Sequence, residues 1–411
     1  LQSHIDMVHQ KNNDTDFDFA TQGIEMFIEG DWVKANGTTL GADNGLGVAT
    51  IMAILESDSI AHPAIDALFT IDEETGMTGA IGLKGGILEG EILLNLDTEE
   101  DDEIGVGCAG GVDVTATKNY TPIASTANAN AFKITVKGLQ GGHSGMEIHL
   151  GLGNANKMMN RLLTEVNDNC SVSSLLGGSL RNAIPRESNA VVVVDIANEA
   201  DFLSGFESMK NQIVDEFHHL ESDITITAEK VALPAMIMNA EDQDQFLKAV
   251  YAAHNGVFRM SPAIEDLVET SNNIAKIEVN EGAIKIECLT RSSVDSSKNN
   301  MVNTLTAVFE LAGFKVNLSG DYPGWAPNMD SAILKVLDAL YEKMNGEKAN
   351  VAACHAGLEC GILGTNYPGM DMISFGPTIK GAHSPDERAS ISSTQKFWDF
   401  VIEILKEIPV K

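Results

Sequence analysis

Ala67-Leu68-Phe69-Thr70-Ile71 runs straight into Asp72-Glu73-Glu74, and Ile92-Leu93-Leu94-Asn95-Leu96 runs straight into Asp97. Both are short apolar runs of strand length, each closed by acids. Upstream of them, Gly45 to Leu55 has helical periodicity. This alternation predicts an α/β domain, a mostly parallel sheet covered by helices. The rhythm returns near the end, with Met370 to Phe375 as a strand and Ser393 to Lys406 as a helix. The middle reads differently. Alternating strands are predicted at Ala131 to Lys137, Ala190 to Ile196 and Ala283 to Leu289, with a helix from Gly153 to Val166. Residues 111–325 are therefore expected to form an α+β domain inserted between residues 1–110 and 326–411. Arg181-Asn182-Ala183-Ile184 and Ser271-Asn272-Asn273-Ile274, each followed by a strand, suggest a short internal repeat.

The length fits that division, since 411 residues exceed one ordinary core. An apolar fraction of 44% suits packed domains rather than a disordered chain. The 27 basic and 59 acidic residues leave a net charge of −32, which repels nucleic acid and anionic membranes and argues against both as partners. Five cysteines, Cys108, Cys170, Cys288, Cys354 and Cys360, form no zinc-finger spacing. An odd number of free thiols points to a reducing, cytoplasmic compartment. No apolar run approaches the roughly 18 residues of a membrane-spanning helix, and no signal peptide is visible.

Acids and histidines recur where predicted strands end. His4-Ile5-Asp6 closes the first apolar stretch, Asp43-Asn44-Gly45 precedes a helix, and Glu73-Glu74 and Asp97 follow strands. His383 sits in the loop Gly381-Ala382-His383-Ser384-Pro385-Asp386-Glu387. Taken singly, each has an ordinary explanation: a solvated loop histidine, an exposed acidic pair, a helix N-cap. Together they fall where the carboxyl ends of strands converge on one crevice. Two histidines and three carboxylates suit a pair of divalent cations, zinc foremost, with cobalt or manganese as alternatives. One carboxylate can bridge two such ions, and in Glu73-Glu74 one acid can bind metal while its neighbour accepts a proton. Asp6, two residues beyond His4, is placed to orient the imidazole. The run Glu99 to Glu103 lacks EF-hand spacing and reads as a solvated acidic loop.

These segments, in this order, resemble the metallopeptidase family of aminoacyl-histidine dipeptidase and cytosolic nonspecific dipeptidase. The pieces that carry the resemblance are Ser3 to Val8, Thr38 to Gly45, Asp72 to Met77, Asn95 to Glu100 and Gly381 to Glu387. Gly141-Gly142-His143-Ser144-Gly145, Arg181 to Glu187 and His355 to Gly361 add to it. The resemblance implies a di-metal catalytic domain with an inserted lid domain. It implies that His4 and Asp97 hold one ion, Glu74 and His383 the other, and that Asp43 bridges them. Glu73 would be the general base, Asp6 would hold His4, His143 would stabilise the oxyanion, and Asn182 and Arg291 would grip the substrate's carboxylate. Glu359, in a turn flanked by Gly and Cys, is a candidate to receive the free amino group. The family carries several dozen residues before its first histidine motif, whereas this chain opens at Leu1 without a methionine, so residues upstream are expected.

The implied activity is hydrolysis of unblocked dipeptides of the Xaa-His type with broad specificity. An N-acyl amino-acid deacylase or a tripeptidase on the same scaffold stays open, as does a non-catalytic binding protein, although Glu73 has no use in mere binding. Small peptides are the expected partners, and a homodimer is left open.

Overall fold

The computed structural model describes residues 1–12 and 14–408. They form two compact units. One comprises Leu1–Ala109, Ala263–Leu267 and Pro323–Lys411; the other comprises Gly110–Pro262 and Val268–Tyr322. Ala263–Leu267, expected within the insertion, belongs with the first unit because Ile264 packs on that unit's core. Pro323–Trp325 also belongs there, because Trp325 and Cys108 exchange backbone hydrogen bonds, each 2.9 Å long.

The first unit is built on six strands in the order Asn350–Cys354, Glu103–Cys108, Asp371–Ser374, Ile92–Asn95, Gln2–His4 and Leu68–Thr70. Every neighbouring pair is parallel except Asp371–Ser374 with Glu103–Cys108, so the sheet is mostly parallel, as the alternating pattern predicts. Helices Ala42–Glu56, Ala332–Asn345 and Ile391–Glu407 cover it. They bury Ile51 and Ile54, Leu337 and Leu340, and Phe397, Val401 and Ile404 against Leu94, Ile104, Val106 and Ile373 of the strands. Each such side chain contributes about 1.5–3 kcal/mol by leaving water. Ser331 and Ser390 begin two of the helices by accepting the N–H groups of Leu334 and Ser393. A small antiparallel sheet joins Met26–Glu29, Trp32–Ala35, Arg388–Ser390 and Ile379–Lys380.

The second unit holds an antiparallel sheet of nine strands with helices Ala155–Glu165, Glu199–Phe217, Ala240–Ala252 and Asp295–Leu311. Alternation decides its faces. In Ala283–Ser292, Ile284, Ile286 and Cys288 point into the core while Ala283 and Lys285 are exposed. Asn154 starts its first helix by accepting from the N–H groups of Asn156 and Lys157. That helix buries Met158, Met159, Leu162 and Leu163. The suggested repeat is not structural. Ser271–Ile274 lies inside the strand Val268–Asn280, whereas residues 181–184 form a turn and two strand residues. The segments touch instead: the Asn273 amide donates to the carbonyls of Arg181, at 3.2 Å, and Ala183, at 2.8 Å.

Among the described residues no helix is long and apolar enough to cross a membrane.

Candidate metal centre

His4, Thr70, Asn95 and Ser374 end four adjacent parallel strands of the first unit. The chain then supplies Asp6, Glu73 with Glu74, Asp97 and His383 just beyond those ends. This is the crevice where an open α/β sheet gathers its ligands. Asp43 arrives from the start of helix Ala42–Glu56.

The geometry around Asp43 is two-sided. Its Oδ1 lies 3.3 Å from His4 Nε2, and that nitrogen lies 3.3 Å from Asp97 Oδ1. Its Oδ2 lies 3.3 Å from His383 Nε2, which is 2.9 Å from Glu74 Oε2. Ligand atoms of His4, Asp43 and Glu74 all fall within 4.8 Å of one another. Asp97 reaches this group through His4, and its Oδ1 also accepts the side-chain amide of Asn44. The other oxygen of Glu74, Oε1, is buried and has no hydrogen-bond partner. Imidazole nitrogens and carboxylate oxygens converging at such spacing, with one buried oxygen unsatisfied, are a donor set that fits divalent cations.

The electrostatics agree. Burial opposes charge on His4, yet the hydrogen bonds and charges of Asp43 and Asp97 push its pKa up to about 12. Hydrogen bonds to Asp43 and Glu74 raise His383 to about 10 against its burial. Burial works against ionised Asp43, but His383 and His4 hold it down to about 2. Burial, and then the charge of Asp97, lifts Glu73 to about 9. Asp97 is raised by its own burial. Such shifts mark a pocket whose excess negative charge attracts cations.

The structure revises several expectations around this cluster. His4 Nδ1 is 3.0 Å from the backbone carbonyl of Asp6, an acceptor, so that nitrogen carries the hydrogen and Nε2 is turned toward the carboxylates. The Asp6 carboxylate is farther off, at 3.6 Å. Its two oxygens instead accept the backbone N–H groups of Glu73 and Glu74, each at 3.2 Å. Asp6 thus orients His4 through its main chain and the acidic pair through its side chain. Glu359 is fully buried; its Oε2 accepts from Gln2 and Thr70, and its Oε1 has no partner. Burial raises its pKa to about 7. The carboxylate expected to receive a substrate's amino group is thus enclosed and held by Gln2 and Thr70. Glu99 is half-buried rather than solvated, and burial together with the charge of Asp43 raises it to about 7.

In the second unit, His143 pairs with Ala183 in a two-residue antiparallel ladder, and Ser144 N–H donates to the Asn182 carbonyl at 2.8 Å. His143 and Asn182 are therefore neighbours. His143 Nδ1 accepts the N–H groups of Met146, at 3.0 Å, and Gly145, at 3.3 Å. Arg291 is 5% exposed and donates to the Tyr322 hydroxyl at 3.1 Å, while its Nε has no hydrogen-bond partner.

Asn44 and Glu387 stand in the quoted motifs but drew no role from the sequence. Asn44 is buried and ties together the three segments that carry His4, Asp43 and Asp97, accepting from Ser3 and donating to the Leu96 carbonyl and to Asp97. Glu387 binds the turn before Asp43. Nothing local marks either residue, because their partners come from distant segments.

Comparison with known proteins follows the same lines. The model of "Peptidase family M20/M25/M40" matches residues 1–407. The chain is 43% identical to the cytosol non-specific dipeptidase of Escherichia coli, over all of this chain and 85% of that protein. It superposes on the crystal structure of aminoacylhistidine dipeptidase from Vibrio alginolyticus with a TM-score of 0.92 and 46% identity, covering 100% of this chain and 84% of that one. An aminopeptidase from Bacillus cereus shares the fold at a TM-score of 0.52 and 15% identity, covering 99% of this chain and 79% of that one.

Proposed function

We propose, from the premise that this chain belongs to peptidase family M20/M25/M40, that it is a metallo-dipeptidase acting on unblocked dipeptides, Xaa-His among them. The observation that carries the reading is the two-sided Asp43, one oxygen facing His4 and the other facing His383, each histidine joined by a further carboxylate. His4, Asp97 and Asp43 would hold one divalent ion, and Glu74, His383 and Asp43 the other, with zinc the first choice by ligand type. When bound, two such ions polarise a carbonyl and lower the pKa of a water.

The protein's own groups do the rest. Glu73 takes a proton from the attacking water and hands it to the leaving amide nitrogen. Its backbone N–H rests on Asp6, which aims it. Cations held by its neighbours would favour the ionised form of Glu73. From the second unit, His143 is assigned to the oxyanion and Asn182 and Arg291 to the substrate carboxylate. With Nδ1 engaged as an acceptor, the neutral ring of His143 bears its hydrogen on Nε2, the form an oxyanion donor needs. None of the five cysteines is in a disulfide, which fits a cytoplasmic site of action.

The test is a panel of dipeptides, tripeptides and N-acetylated amino acids assayed on protein reconstituted with zinc, cobalt or manganese. Cleavage confined to free dipeptides is expected. Preferential release of N-acyl groups would replace the reading with a deacylase, and preference for three residues with a tripeptidase.

A further inference from the structure

Glu387 closes the loop that carries His383, and its side chain is only 2% exposed. Its Oε2 accepts the backbone N–H groups of Leu40 and Gly41, at 2.6 and 3.0 Å. Its Oε1 accepts those of Ala42 and Asp43, at 2.8 and 3.3 Å. Four consecutive amides thus converge on one carboxylate from 344 to 347 residues away. Among the described residues no cationic side chain pairs with Glu387, so these N–H dipoles meet its charge.

The bond from Thr39 N–H to the Gln10 carbonyl and the Asn44 side chain hold the two ends of this turn, and Glu387 takes the four amides between them. Gly41 is left-handed, at φ 75° and ψ 25°, and as a glycine has no side chain of its own to cap the helix. Asp43 and Asn44 depart from helical dihedrals, so their segment lacks a regular first turn. A φ of 75° is one that L side chains rarely adopt, so a residue able to supply its own cap would be strained at Gly41. On the other side, Glu387 N–H donates to the Ser384 carbonyl and Ser384 N–H to the Gly381 carbonyl, folding the His383 loop back on itself. One carboxylate therefore locks the turn presenting Asp43 to the turn presenting His383, whose side chains meet at 3.3 Å.

We propose that Glu387 is a positioning residue that clamps the Asp43 turn to the His383 loop and so sets the spacing of a shared metal site before any ion binds. This rests on Asp43 being a metal ligand, as proposed above. The clamp is built from backbone amides, so it must exist in metal-free protein.

The experiment begins with unmodified full-length protein stripped by chelator. Hydrogen exchange of the amides of residues 40–43, read by mass spectrometry, should stay protected without metal. Loss of that protection on chelation would mean that the ions, not Glu387, hold the turn, and would overturn the proposal without any variant. Glu387→Gln keeps the volume but sets an NH2 group against two N–H donors. It should weaken zinc affinity, titrated against a chromophoric chelator, by about 10–100-fold, the usual effect of removing a group that orients ligands. It should also speed exchange at residues 40–43 while distant strands stay protected. A residue that merely stabilises the fold would raise exchange everywhere and leave the affinity of folded protein unchanged; that result, too, would overturn the proposal. Asp43→Asn separates the two layers. If it leaves zinc binding intact, the metal reading itself fails. If it weakens binding and Glu387→Gln does not, the positioning role alone fails.

Discussion

Replacing Asp6 by asparagine separates the two tasks the structure gives that residue. Its carbonyl, which is unchanged by the substitution, holds His4 Nδ1 at 3.0 Å. Its carboxylate holds the Glu73 and Glu74 amides at 3.2 Å each and stands 3.6 Å from the imidazole. Asparagine keeps one acceptor oxygen and turns the other into a donor that faces an N–H group. One of the two amides loses its partner. A hydrogen bond to a charged group contributes about 1.5–3 kcal/mol. The 3.2 Å lengths and the 26% exposure of Asp6 place each of these at or just below the bottom of that range, about 1–1.5 kcal/mol. Folding stability should fall by that amount. Turnover should fall by roughly 10–100-fold, because Glu73 loses the group that aims it. Zinc affinity should change little, since the His4 contact survives. The assay is kcat and KM on zinc-saturated enzyme, beside a chelator-competition titration and a denaturant melt. The reasoning is refuted if Asp6→Asn loosens zinc as much as Asp97→Asn does while the reloaded enzyme turns over normally. In that case the side chain would serve His4 and not the acidic pair.

Further tests follow from the same geometry. Glu73→Gln should retain metal and lose on the order of 10²-fold or more in kcat, whereas Glu74→Gln should shed metal; the reverse pattern, read by elemental analysis and kinetics, would exchange the two assignments. Protein purified without chelator should carry close to two divalent ions per chain, and fully active protein with none would remove the metal mechanism. His143→Ala should lower kcat by roughly 10²–10³-fold with a smaller rise in KM, as expected when a transition-state contact is removed. Arg291→Ala should mainly raise KM, and C-terminally amidated dipeptides should be nearly blind to it, so equal losses on free and amidated substrates would dismiss the carboxylate grip.

Much of this protein is written in local pattern. Apolar runs such as Ala67 to Ile71 and Ile92 to Leu96 are too short for helices and are followed at once by acids, which is enough to mark strands that end at a ligand cluster. The five candidate ligand residues could be named because metal chemistry restricts residue type, and strand ends restrict position. At Asp6 adjacency in sequence was only part of the account. Two residues from His4, it faces the imidazole with its carbonyl and, at 3.6 Å, its carboxylate, and the same carboxylate takes amides 67 and 68 residues away. Glu359 read as a residue in a turn flanked by Gly and Cys and is found buried against Gln2 and Thr70, at the start of helix Glu359–Asn366. Glu387 gave no signal, since a carboxylate that gathers four backbone amides is satisfied by donors every residue possesses. Residue type and period were legible in the sequence because they act over a few bonds. Which oxygen meets which hydrogen was decided only when packing brought together segments hundreds of residues apart, and a buried polar group takes whichever partner that packing leaves within reach.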